Sequence, residues 1–178
     1  EEEFDKFRLL HKSVVGKSTR SILDLSLRLD KRDSIIKPTK GYMVKFGSEI
    51  AGLGGDEQFI KSIASGKIYR GIYGNNIIFS TELEGGTLSM GNGYSKVVDR
   101  FQLGGRSFRG FKYSGIGPRE LSGGSYTIPL GGENYAIARF AASFPLGLPR
   151  ELGLYGSVFA EAGSLWGLQT DSSIAGLS

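Results

Sequence analysis

The chain has 178 residues, 22 basic against 18 acidic side chains, one histidine, no cysteine and 28 glycines. That length is enough for one domain with a core. The missing cysteines and the lone His11 exclude disulfides, thiolate metal sites and histidine clusters, and a net charge of +4 is too small and too scattered for a nucleic-acid surface.

The opening EEEFDKF is acidic where a signal peptide needs basic residues and then an apolar run. Residues 1–17 read at most as an incomplete strand. From Ser21 the period is two. Leu23, Leu25, Leu27 and Leu29 share one face, and Asp24, Ser26, Arg28 and Asp30 the other. The pattern returns over Gly41–Ala51, with Tyr42, Val44, Phe46 and Ile50 opposite Lys45, Gly47 and Glu49. Phe59–Ile72 reads as a strand of poorer alternation. In the next, Ile77, Phe79, Thr81 and Leu83 oppose Ser80, Glu82 and Glu84. Tyr135–Leu146 sets Ala136, Ala138, Phe140, Ala142 and Phe144 against Arg139 and Ser143, and Gly153–Gly163 sets Leu154, Val158 and Ala160 against Tyr155, Ser157 and Glu161. No run of about 18 apolar residues exists to form a spanning helix.

These are six strands of roughly 9–12 residues, longer than the ~5–6 usual in soluble sheets. Strands of about 9–11 residues with one apolar face suit a tilted bilayer crossing; a soluble antiparallel sheet or β-sandwich binding module with one wet face has the same alternation. The connections favour the first. Asp30–Lys40, Tyr73–Asn76 and Gly147–Glu151 fall at every second gap and share one rim of an up-and-down meander. The other rim carries Leu53–Gln58 and the long Ser89–Glu133, expected to hold no strands. Short turns on one rim and long loops on the other is a membrane-barrel layout. In that reading the chain, which lacks a signal pattern, is a fragment or a mature segment. Pro38 and Pro149 sit in turns, where a missing N–H is tolerated.

The long loop contains FQLGGRSFRGFKYSGIGPRE, Phe101–Glu120. Its Gly104-Gly105 pair, the tetrad Phe108-Arg109-Gly110-Phe111 and the trailing Gly115-Ile116-Gly117-Pro118-Arg119 resemble the sixth extracellular loop of the BamA-type outer-membrane assembly family, part of the bacterial surface antigen superfamily. That family includes mitochondrial and chloroplast relatives and the two-partner secretion transporters. DSIIKPTKG at Asp33–Gly41 resembles the family's Pro-Thr-x-Gly turn, and FAEAGSLW at Phe159–Trp166 its acidic strand after the loop. Three motifs in order are far more specific than one glycine pattern. Two positions depart from the family. Phe108 stands where Val or Ile is usual, and Glu161 where Asp is usual; a second carboxylate common in the family falls on Ala141.

The resemblance implies an all-β, antiparallel up-and-down meander over residues 1–178, forming about six strands of a transmembrane barrel of about 16 strands. The POTRA repeats and the first and last strands lie outside it. The loop at 89–133 folds inward as a plug. The implied function is insertion and folding of β-barrel proteins into the outer membrane of a Gram-negative bacterium or an organelle. The implied partners are unfolded outer-membrane proteins, the lipid bilayer and, through the POTRA part, accessory assembly lipoproteins, with no cofactor and no nucleic acid. The alternative within the superfamily is a two-partner-type secretion transporter.

Within the loop, Gly104, Gly105, Gly115, Gly117 and Pro118 are expected to bend the chain inward. Arg109 is expected to meet Glu161 on the inner wall, since a guanidinium in a lumen needs a carboxylate. Arg139 is the rival, lying across a hairpin from Glu161. Phe108 and Phe111 are expected to pack on the wall or over the guanidinium, and Gly110 to let the chain pass close to a neighbour. Glu82 and Glu84 share a face, but with no histidine or cysteine beside them a lining role fits better than catalysis, so the chain is not expected to be an enzyme.

Overall fold

The computed structural model describes residues 20–168, apart from 53, 55–56, 92, 123–125 and 148–153, with the backbone alone over 121–122 and 126–127. The expectations for residues 1–17, His11 and Pro149, and most of the Gly147–Glu151 turn, lie outside the described residues.

Six long strands follow the alternating segments: β1 (Ile22–Asp30), β2 (Lys40–Ala51), β3 (Phe59–Ile72), β4 (Ile77–Met90), β7 (Asn134–Pro145) and β8 (Tyr155–Trp166). They pair antiparallel in the order β1-β2-β3-β4-β7-β8, an uninterrupted meander. One expectation fails. The long loop is not strandless: β5 (Arg119–Ser122) and β6 (Tyr126–Pro129) form a separate two-stranded hairpin within it. Strands of four residues are too short to show a period of two.

Register puts every strand's apolar set on one face, because paired residues share a side of the sheet. One row runs Val44, Gly66, Leu83, Ala138, Ala162; the row beside it runs Leu27, Phe46, Ala64, Gly85, Ala136, Ser164. The paired positions of this face carry no charge except Lys40 and Arg70, which pair with each other at the rim of the short turns. Its large side chains are bare: Leu27 is 71% exposed and Leu83 60%. The opposite face holds the charged residues and takes the loop. Its apolar cluster joins wall residues Ala51, Phe59, Leu88, Tyr135, Ile137 and Leu165 to loop residues Phe101, Leu103 and Phe108. The core of this chain is therefore the contact between a sheet face and one long loop.

The turn between β1 and β2 is closed by Asp33. Its carboxylate accepts hydrogen bonds from Thr39 N at 2.9 Å, Thr39 Oγ1 at 2.5 Å and Lys40 N at 3.1 Å. The Thr39 hydroxyl first, then the Lys40 N–H, holds the carboxyl down at about 2. A folded value below the ordinary one means that the turn's contribution is present above about pH 4 and is lost as pH falls toward the folded value. A carbon-13 titration of Asp33 in the full-length protein is expected to find a midpoint near the lower figure; a midpoint near about 4 would mean that the turn is open.

Candidate functional site

Across the inner face runs a row of alternating charge. Register aligns Lys67, Glu82, Arg139 and Glu161 on four neighbouring strands. Lys67 Nζ lies 3.1 Å from Glu82, and Arg139 Nη1 lies 3.5 Å from Glu82 and 3.1 Å from Glu84. Tyr135 Oη donates to Glu84 at 2.9 Å. The rival pairing of Arg139 with Glu161 thus gives way. The two residues are opposite in register, but the guanidinium turns to the carboxylates on β4, which has two to offer. Glu161 is left at the end of the row with its side chain 5% exposed, where a lone buried charge would be costly.

The loop supplies the next positive charge. Arg109 Nε donates to Glu161 Oε1 at 2.6 Å, and its backbone N to Oε2 at 2.9 Å. Both carboxylate oxygens are therefore occupied by one loop residue. Arg139 Nη2 also donates to Ser107 O at 2.8 Å, so the wall arginine holds the loop just before the tetrad. The guanidinium of Arg109 lies over a ring, its carbon 3.6 Å from the centroid of Phe159. Of the two places expected for Phe108 and Phe111, the one over the guanidinium thus belongs to Phe159. Phe159 has the inner-face parity of Glu161, two residues on, and presents the wall's own ring.

Phe108 takes the other expected place, on the wall: it is 4% exposed and is seated against Gly163. A Cβ built there would stand 2.7 Å from the Phe108 ring, so the missing side chain is the socket. Phe111 packs edge-on against Phe108 at 5.3 Å between centroids and remains half exposed. A second socket lies one row away, where a Cβ on Gly86 would strike Tyr135 and Phe101 at 2.4 and 2.8 Å. Those two rings pack 4.6 Å apart. Neither glycine stands out in the sequence. Their parity, on the face that carries the charged residues, is the signal they offer.

The bends fall where the glycines are. Gly104 has φ +130° and Gly105 φ +62°, and a Cβ on Gly104 would meet Lys112 O at 2.0 Å. Ser107 ties this bend, its Oγ donating to Gly104 O at 2.9 Å. Gly115 N donates to Lys112 O at 2.8 Å, and Leu103 bridges to Ile116. Gly117 backs onto Leu165, and Pro118 O accepts from Leu130 N at 3.0 Å, leading into the β5-β6 hairpin. Gly110 is a correction of cause. Nothing lies within 4 Å of a Cβ placed there; the residue serves its φ of +84°, which a side chain would strain.

Residues 2–176 match the family model described as the Omp85 superfamily domain. The chain is 33% identical over 161 residues to the outer membrane protein assembly factor BamA of Neorickettsia risticii, covering 88% of this chain and 21% of that protein. It is 37% identical over 147 residues to the sorting and assembly machinery component 50 homolog of Bos taurus, covering 81% and 30%. The crystal structure of BamA from Haemophilus ducreyi lacking POTRA domains 1–3 matches with a TM-score of 0.72 at 16% identity, over 82% of this chain and 30% of that one, a likeness of fold. The chain thus spans 21% and 30% of the length of these two curated relatives.

Proposed function

Because the chain belongs to the Omp85 superfamily, we propose that it is the barrel segment holding the inward loop of an outer-membrane assembly factor, which inserts and folds other β-barrel proteins. The observation that carries this reading is the loop bound to the inner face through Arg109 and Glu161, while the other face is bare and uncharged away from one rim. An uncharged strand face of this length is suited to lipid, and the outer membrane is the place for it. Further strands complete a barrel of about 16 around the loop, which then lies in the lumen as a plug. Its anchor is Phe108, Arg109, Gly110 and Phe111 on Glu161, with Arg139 as a second lumenal hold. Its clients are unfolded outer-membrane proteins, and accessory lipoproteins reach it through parts of the protein beyond this segment. The work needs no catalysis or cofactor: it consists of strand pairing to an incoming chain beside a locally disturbed bilayer.

Reconstitution tests this. The full-length protein in phospholipid vesicles is expected to speed the folding of an added, urea-unfolded barrel protein, read as the heat-modifiable gel shift. Client folding no faster than in empty vesicles would overturn the reading, and a client delivered into the vesicle interior would indicate secretion instead. Arg109→Ala is expected to leave strand content intact and to loosen the loop. The pair is about half exposed on the arginine side, so its worth is about 1 kcal/mol, roughly a fivefold rise in the open population. New protease cleavage near Gly104 would report it; unchanged protection together with unchanged client folding would remove the clip from the mechanism.

A further inference from the structure

The tip of the loop is half in solvent, but its neck is buried. Arg109 has a side chain 48% exposed, whereas Arg100 is 9% exposed, Ser95 2% and Glu133 5%. Arg100 spreads its planar fork over both ends of the loop. Its Nε donates to Ser95 Oγ at 2.7 Å, Nη2 to Ser95 O at 2.6 Å and Nη1 to Leu130 O at 3.3 Å. Ser95 Oγ in turn donates to Glu133 Oε1 at 2.6 Å. A hydroxyl has one proton to give; here it goes to Glu133 while the lone pair serves Arg100. One guanidinium therefore joins residues that enter the loop to residues that leave it.

The neighbours reinforce the closure. Phe101 and Gly132 exchange both backbone hydrogen bonds, at 2.9 and 3.0 Å. Lys61 Nζ, on β3, donates to Asp99 O at 2.9 Å, and the Asp99 carboxylate takes Arg20 at 2.7 and 3.1 Å. The neck is thus fixed to the sheet as well as to itself. Between it and the tip stands the Gly104-Gly105 bend, two residues without side chains that Ser107 ties on the far side. Arg109 lies nine positions after Arg100, and an unconstrained segment of that length reaches about 30 Å. Fixing its base confines the tip to the part of the wall where Glu161 and Gly163 lie, and so raises the effective concentration of one for the other.

We propose that Arg100 is a positioning residue: by closing the neck of the loop it aims the bend so that Arg109 arrives at Glu161 and Phe108 at Gly163. Lysine cannot substitute fully, since the three contacts need a fork. The assignment deepens the reading of the loop as a lumenal clip and rests on it.

The chain has no cysteine, so spin labels can be set at Lys112→Cys on the tip and Ser157→Cys on the wall, in a full-length protein with any cysteines elsewhere replaced. The unaltered neck is expected to give one narrow tip-to-wall distance. Arg100→Gln is expected to broaden it and to raise the displaced fraction several-fold, with the heat-modifiable gel shift of the barrel unchanged. Ser95→Ala should move it the same way by less, and Arg100→Lys should lie between. Combined with Arg109→Ala, Arg100→Gln should displace the tip little further than either change alone. A narrow, unshifted distance in Arg100→Gln overturns the proposal. So does loss of the folded barrel in both Arg100→Gln and Ser95→Ala, which would make the neck a general element of the fold. A displaced tip with undiminished client folding supports the neck's role and counts instead against the clip's part in assembly.

Discussion

Replacing Gly163 by leucine is expected to unseat the long loop while leaving the barrel folded. An added Cβ at that position stands 2.7 Å from Phe108 Cε2, with Ala136 O at 3.1 Å and Ile137 Cγ1 at 3.3 Å. The ring cannot stay, and the two positions next to its socket in that row, Ile137 and Glu84, carry side chains of their own. Removing a buried phenylalanine side chain costs about 3–5 kcal/mol; evicting one forfeits a similar sum. The strand itself does not suffer, because leucine fits a pleated strand better than glycine does. Trypsin reads the result. Arg106, Arg109 and Lys112 should become cleavable in the variant in intact vesicles, and Phe108→Ala should expose the same bonds. A Gly163→Leu loop as resistant as the original would show that Phe108 is not held there.

Leu83→Arg is expected to lower the stability of the vesicle-embedded, full-length protein by about 2–4 kcal/mol, the cost of a cation near the middle of a barrel's lipid face. Leu83 lies halfway along β4 in the uncharged row of Val44, Gly66, Ala138 and Ala162. Ser65→Arg is the control. It lies on the other side of the same sheet, opposite Glu84 in register, where a cation gains a partner and loses little water. On a sheet wetted on both sides, both substitutions would change stability by no more than about 0.5 kcal/mol. Urea unfolding of the two variants in vesicles separates the cases: equal, small losses would place water against Leu83 and remove the membrane from the account.

The strands were legible because alternation is a local property. Leu23 to Leu29 declare a face without any knowledge of the neighbours, and Phe59–Ile72 ends where its turn residues begin. The loop was legible through its motifs, and Glu161 through the chemical need of Arg109 for a carboxylate. What stayed hidden depends on proximity across strands. Gly163 is an ordinary strand glycine until register sets it under Phe108, and Gly86 until it meets Phe101. Phe159 reads as one more wall aromatic until the guanidinium settles on it. Arg139 stands opposite Glu161, yet opposite charge in register does not decide the pairing, because Glu82 and Glu84 compete from the strand on its other side. Arg100 carried no signal: its partners are a serine, two carbonyl oxygens and, through the serine, a glutamate some thirty residues away.

The seat of the loop's tip is built from residues that follow it in the chain. Arg109 and Glu161 are separated by 52 positions, and Gly163 and Leu165 come later still. When residues 91–133 leave the machinery that makes them, neither the Gly163 socket nor the Glu161 carboxylate exists. Docking therefore waits for the β7-β8 hairpin, and a long closure of this kind is slow to find. A chain stalled before β8 keeps two phenylalanines and a guanidinium exposed to water, a mark by which quality-control proteases can tell an unfinished molecule from a finished one.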